Sequence, residues 1–331
     1  MQQDQQLTIQ QACELALTFF NTGRYAESES LCRTLLESTP DNHAALFVLG
    51  CNMQVNGRLA ESISLLKKAV LLTQQSWNYR YFLAFCLWQD RQLKEAEEVL
   101  SSALAAPGFA PEDRASGFEL LGRVLFEEGK HDEAIAAYQQ GFAIVPSNAL
   151  MGTNLALAYK NKGYYKDAVL QAKKVLAFSP PTASLLSVLS DSLGELERYE
   201  EALTFTLKWN ELYPGDWASY YTLGMLFTKL GRLDGAETAL QDSIRLNPDS
   251  PTAHEQLGGV QVRLGNYDAA AAEYKAAIGF EKDPAGLAGL YDGLAQAYSG
   301  ARHYAEAAQM FDRAFELQVQ FTKLENISAT L

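Results

Sequence analysis

Residues 217–250 read WASYYTLGMLFTKLGRLDGAETALQDSIRLNPDS. Tyr220, Leu223, Gly224 and Phe227 recur at spacings of three and four, which places them on one face of a helix. Gly231-Arg232-Leu233 then interrupts the pattern. Glycine tolerates the positive φ that a tight turn between two helices requires. Beyond the turn a second helical pattern carries the small residue Ala236, and Pro248 closes the segment. The stretch therefore reads as helix, turn, helix.

The same marks recur along the chain. Turn glycines stand in Gly23-Arg24-Tyr25, Gly57-Arg58-Leu59, Gly129-Lys130-His131, Gly163-Tyr164-Tyr165 and Gly265-Asn266-Tyr267. Small residues follow at matching distance: Ser28, Ser62, Ala134, Ala168 and Ala270. Aligned on these marks, nine units start near residues 9, 43, 77, 115, 149, 183, 217, 251 and 288. Six of the eight steps are 34 residues and the others are 38 and 37, so insertions are expected near 107–114 and 285–287. Units three, six and nine have Arg91, Glu197 and Arg302 where the others have the turn glycine.

A 34-residue period with Leu-Gly and an aromatic on the first helix, and a small residue on the second, resembles the tetratricopeptide-repeat (TPR) family. The resemblance covers about residues 9–321. It implies an all-α, right-handed superhelical solenoid of tandem helix-turn-helix repeats, with about eighteen helices and the first helix of each unit lining a concave surface. Each unit exposes an apolar side that the next unit covers, so the units stack. Residues 1–8 are expected to be a disordered N-terminal segment, and 322–331 an extension of the last helix.

Composition narrows the function. The chain has 331 residues, 48% of them apolar and 20% charged, enough to bury a core. Its net charge is -13 and it has no Lys/Arg run. Nucleic-acid binding needs a basic face, so that class is excluded, and an anionic membrane surface is disfavoured. No apolar run approaches the ~20 residues that span a bilayer, so no membrane insertion is expected. The N-terminal MQQDQQLTIQQ lacks a secretory signal, and a cytoplasmic location is expected.

No catalytic constellation emerges. His43, His131, His254 and His303 occupy four different repeat positions. Pairs such as Glu97-Glu98 and Glu127-Glu128 are adjacent, and adjacent helical positions do not face each other. Nucleophile-elbow, zinc-protease, phosphate-loop and dinucleotide motifs are missing. Cys13, Cys32, Cys51 and Cys86 form no C-x-x-C pair and read as small hydrophobes inside helices. No enzyme activity, cofactor or metal is expected.

The family resemblance also implies a ligand groove along set inner positions of each first helix. Carried over to this chain, the partner-binding residues are Phe47, Cys51, Tyr81, Phe85, Trp88, Glu119, Arg123, Phe126 and Lys160. Toward the C-terminus the inner positions turn polar, with Asp191, Glu195, Tyr221, Glu255 and Asp292. Unit three is unusual. Its first helix, WNYRYFLAFCLWQD, has one apolar face from Leu83, Ala84 and Leu87 and a second from Tyr81, Phe85 and Trp88. Neighbouring units, a bound peptide, or a segment of this chain or its twin would each cover that second face. The two-carboxylate clamp of chaperone-binding TPRs is disfavoured, because its matches, Arg123, Asn154 and Lys160, are scattered.

The expected function is a non-catalytic scaffold or adaptor that holds a peptide or partner protein in the concave groove. A narrower version is chaperone-like and holds an apolar client segment. The alternative is a recognition module working with a separate transferase of the O-GlcNAc-transferase or sulfotransferase kind. The last helix, from near Tyr304 through Phe311, Phe315, Val319, Phe321 and Leu324, is expected to be over-long and to mediate self-association.

Overall fold

A computed structural model of the chain describes residues 8–73 and 76–328, with 320–328 described by backbone alone. Among the described residues eighteen helices follow one another and no strand occurs. The helices fall into two compact sets, Met1–Tyr164 and Tyr165–Leu331. The first set holds α1 (Ile9–Asn21), α2 (Tyr25–Ser38), α3 (His43–Val55), α4 (Leu59–Leu72), α5 (Trp77–Gln89), α6 (Leu93–Ala105), α7 (Pro111–Glu127), α8 (His131–Ile144) and α9 (Ala149–Asn161). The second holds α10 (Tyr165–Leu176), α11 (Ala183–Glu195), α12 (Tyr199–Leu212), α13 (Trp217–Lys229), α14 (Leu233–Leu246), α15 (Pro251–Leu264), α16 (Tyr267–Phe280), α17 (Pro284–Gly300) and α18 (Tyr304–Ser328). Within each set a helix packs on its sequence neighbours, and the odd-numbered helices also touch one another in succession. Such local packing is that of an all-α helical-repeat solenoid.

The turns are set by backbone chemistry. Gly231 has φ of 72°, and the N–H of Arg232 donates to the Phe227 carbonyl at 2.8 Å. That bond satisfies an orphan carbonyl at the end of α13. Arg91, Glu197 and Arg302 make the same turn without glycine, at φ of 62°, 58° and 67°. Their closing bonds, Gln92 N–H to Leu87, Arg198 N–H to Leu193 and His303 N–H to Tyr298, measure 2.9, 2.9 and 2.8 Å. Most odd-numbered helices are capped by a side chain that accepts from a first-turn N–H, as Asn42, Asn148, Thr182 and Ser250 do.

Small residues permit the close helix pairs. A Cβ added at Gly122 would lie 2.5 Å from the Tyr138 ring, and one at Gly224 would lie 2.5 Å from Leu240. The two insertions are not simply loops. Helices α7 and α17 each have 17 residues where α3 has 13, and both begin with proline, at Pro111 and Pro284. Proline suits the first helical turn, where its missing N–H would have no partner, so part of the extra sequence is absorbed as helix.

Helix α18 runs for 25 residues. Its Ala307, Ala314 and Leu317 are buried, whereas Phe311 and Phe315 are 43% and 67% exposed. The side chains of Phe321 and Leu324 lie outside the described residues, as do residues 1–7 and 329–331; of the N-terminal segment expected to be disordered, 1–8, only Thr8 is described, and it caps α1.

Candidate functional site

The rings of α5 have different partners. Trp77 is buried, with its ring 5.2 Å from Phe109, and a Cβ at Gly117 would come within 2.3 Å of it. It is core. Tyr79 stacks on Phe47 at 4.2 Å and Phe82 meets Phe47 edge-on at 5.5 Å. Phe47, expected on the open groove, is thus covered by rings from the next first helix. Tyr81 is half-buried, 6.2 Å from Trp77, and Phe85 and Trp88 are half-buried with ring centroids 5.7 Å apart.

Trp88 is covered from α7. The Arg123 guanidinium lies over its indole at 4.0 Å, and the indole Nε1–H donates to Glu127 Oε1 at 2.8 Å. Glu127 also accepts from Arg91. The open question about the second face of α5 is therefore answered in part. Near Trp88 a cation from the neighbouring unit lies on the ring, held by the ring quadrupole.

Beside this contact is an open hollow of about 130 Å³ between α5, α7, α8 and α9. Trp88, Phe126, Tyr138 and Leu157 give it apolar walls, and Arg123, Glu127 and Asn154 supply polar atoms. Phe126 is braced by the His131 ring at 5.0 Å. The Asn154 side chain makes no hydrogen bond among the described residues. Glu119 lies one helical turn before Arg123 and is only 8% exposed. Its Oε1 has no hydrogen-bond partner, because Arg123 Nη1 stands 3.7 Å away. Burial pushes its carboxyl above the usual carboxylate range, only partly opposed by Arg123.

Of the expected groove residues, the hollow brings together Trp88, Arg123 and Phe126. Tyr81 and Phe85 pack against the adjoining core, and Lys160 lies half-buried near the end of α9. Two placements correct the expectation. Cys51 is 3% exposed and belongs to the core, its thiol pushed up to about 12 by burial. Its short side chain does not reach the surface that Phe85 and Arg123 reach from the same repeat position. Glu119 is likewise enclosed rather than presented. Tyr138 and Leu157 were not expected in the site; Leu157 shares the repeat position of Phe85, which was the available signal.

In the second set, Tyr221 lies within electrostatic reach of Asp191 and Glu255, and Tyr274 within reach of Glu255 and Asp292. Burial and the neighbouring Glu281 push the Glu255 carboxyl up. Among the described residues no helix is long and apolar enough to cross a membrane.

A tetratricopeptide repeat family model matches residues 54–111 and 221–286, and a TPR repeat model matches 122–163. The chain belongs to the tetratricopeptide-repeat family. TPR proteins are in general non-catalytic scaffolds for protein interaction. This TPR chain is 26% identical over 162 residues to the human protein O-mannosyl-transferase TMTC1, a match covering 48% of this chain and 18% of that one. It is 21% identical over 301 residues to the bovine BBSome complex member BBS4, covering 81% of this chain and 57% of that one. It thus spans less than two thirds of either relative. Among solved structures it resembles the C-terminal part of a TPR repeat-containing protein from Cytophaga hutchinsonii, with a TM-score of 0.59, 17% identity, and 75% and 99% of the two chains covered.

Proposed function

We propose that this TPR chain is a non-catalytic scaffold that holds a peptide, or an extended segment of a partner protein, along α5, α7 and α9. The hollow carries this reading. Apolar walls with a few convergent polar groups are what a recognised side chain needs, and Asn154 has an amide available for a peptide backbone. Aromatic anchors at such places tend to dominate binding energy. The narrower chaperone-like version rests on the half-buried rings of Tyr81, Phe85 and Trp88, which offer apolar surface to a client.

The test is affinity purification with mass spectrometry, comparing the intact chain with a Phe126→Ser, Leu157→Ser variant. Partners retained by the intact chain and lost by the folded variant support the reading. A partner set indifferent to the change overturns it.

One observation favours a second reading, the similarity to a relative named as a transferase. In that reading the array presents substrates to a transferase, and a transferase recovered among the specific partners would favour it.

A further inference from the structure

The polar atoms around the hollow are unequally engaged, and the inequality points to a ligand class. Glu127 is already held twice, by the Trp88 indole N–H and by Arg91, so its charge is answered within the protein. Arg123 is not so answered. A guanidinium has five N–H donors. The Arg123 group lies over the Trp88 ring and comes no closer than 3.7 Å to the Glu119 carboxylate, beyond hydrogen-bond distance. Glu119 answers it only at that distance, and burial pushes its carboxyl above the usual range. The side chain of Arg123 keeps 31% of its surface exposed at the hollow. What the hollow presents is therefore a cation with unused donors above an apolar ring.

The room beneath matches one side chain. A dry apolar cavity of about 150 Å³ takes a benzene-sized group, and this hollow measures about 130 Å³. The net charge of -13 does not oppose an acidic ligand at this range. Exposed charges beyond about 8 Å are largely screened at physiological salt, so groups lining the hollow decide.

Building on the groove reading above, we propose that the hollow recognises a peptide carrying an acidic side chain beside an apolar one. The carboxylate draws Arg123 off Trp88 into a bidentate pair, and the apolar side chain takes its place against the exposed indole. Arg123 is then the specificity residue. A peptide with apolar character alone leaves the cation on the ring, and one with acidic character alone fills no hollow.

A displayed library of random peptides, selected on the intact chain, tests this. The recovered peptides should pair Asp or Glu with a nearby Leu, Ile, Met or Phe. Arg123→Gln, with an unchanged melting temperature, should keep the apolar preference and weaken the acidic peptides about tenfold, the scale of one charged hydrogen-bond pair. A recovered peptide should shift the tryptophan fluorescence of the intact chain and leave that of Trp88→Phe unmoved. Recovered peptides rich in Lys or Arg, an acidic preference that survives Arg123→Gln, or an unmoved fluorescence each overturn the proposal. Should Arg123→Gln fail to fold, Arg123→Lys serves instead, because it keeps the charge and loses the bidentate fork. Peptides that need Phe126 and Leu157 but show no acidic preference sink this inference and leave the groove reading standing. Peptides indifferent to Phe126→Ser and Leu157→Ser, or no enrichment at all, remove both.

Discussion

Glu197→Gly should stabilise the protein although it deletes a side chain. Glu197 closes α11 at φ of 58°, a left-handed conformation that costs an ordinary L-residue about 1–2 kcal/mol. Its side chain is exposed and makes no ion pair among the described residues. The turn depends on backbone bonds, Glu197 N–H to Gly194 at 2.9 Å and Arg198 N–H to Leu193 at 2.9 Å, which glycine makes equally well. Against the relief stands the greater freedom of glycine in the unfolded chain, roughly 0.5–1 kcal/mol. The net expectation is about 0.5–1 kcal/mol of stabilisation. Gly231→Ala is the reciprocal control. It sits in the equivalent turn at φ of 72°, and an added Cβ meets nothing within 4 Å. Any loss there reports backbone conformation alone and should be about 1 kcal/mol. Urea unfolding of the full chain reads both changes. Repeat arrays need not unfold in one step, so amide hydrogen exchange in α11–α12 and α13–α14 should accompany it. A destabilising Glu197→Gly, or a neutral Gly231→Ala, would refute the argument from φ.

Glu119→Gln should raise the melting temperature at neutral pH. The raised folded-state value means that the stability tied to the neutral carboxyl is complete below the ordinary carboxylate range and is lost as pH rises through the folded value. The advantage of the variant should therefore vanish in acid, and an equal advantage at both pH values would count against it. The thiols of Cys32 and Cys51, each pushed up to about 12 by burial, should resist alkylation in the native protein at mildly alkaline pH, and labelling as fast as in urea would contradict their placement. If the chain self-associates through the exposed Phe311 and Phe315 of α18, Phe315→Glu should lower the mass seen by light scattering at high concentration; an unchanged mass would sink that route.

The repeat was legible because its marks are backbone requirements. A glycine at a left-handed turn and a small residue facing a partner ring, as at Gly122 and Tyr138, recur wherever the same helix pair recurs. Units three, six and nine were assigned without the glycine. Their neighbours fix the register, and packing on both sides of the turn holds Arg91, Glu197 and Arg302 at positive φ. The extra residues before units four and nine were visible as a break in the period, but their helical state was not. The local signal was present in Asp283, whose side chain accepts from Gly286 N–H and caps α17 ahead of Pro284.

The site was less legible for a geometric reason. A repeat position states which way a side chain points, not how far it reaches or what the next unit lays across it. Phe85 and Cys51 share a position, yet only the longer side chain reaches the groove. Trp88 and Arg123 meet across 35 residues at different repeat positions. Their contact depends on the offset between α5 and α7, which the four residues added before unit four leave unchanged: Trp88 meets Glu127 at the same two repeat positions at which Gln54 meets Gln89 across a regular 34-residue step. That same offset brings Glu127 to the indole N–H, and Arg123, lying over Trp88, stops 3.7 Å from Glu119 on its own helix. The offset therefore belongs to the repeat, and the hollow with its under-used cation comes from the side chains this chain sets there: Trp88 and Glu127 stand where the preceding pair of units has Gln54 and Gln89.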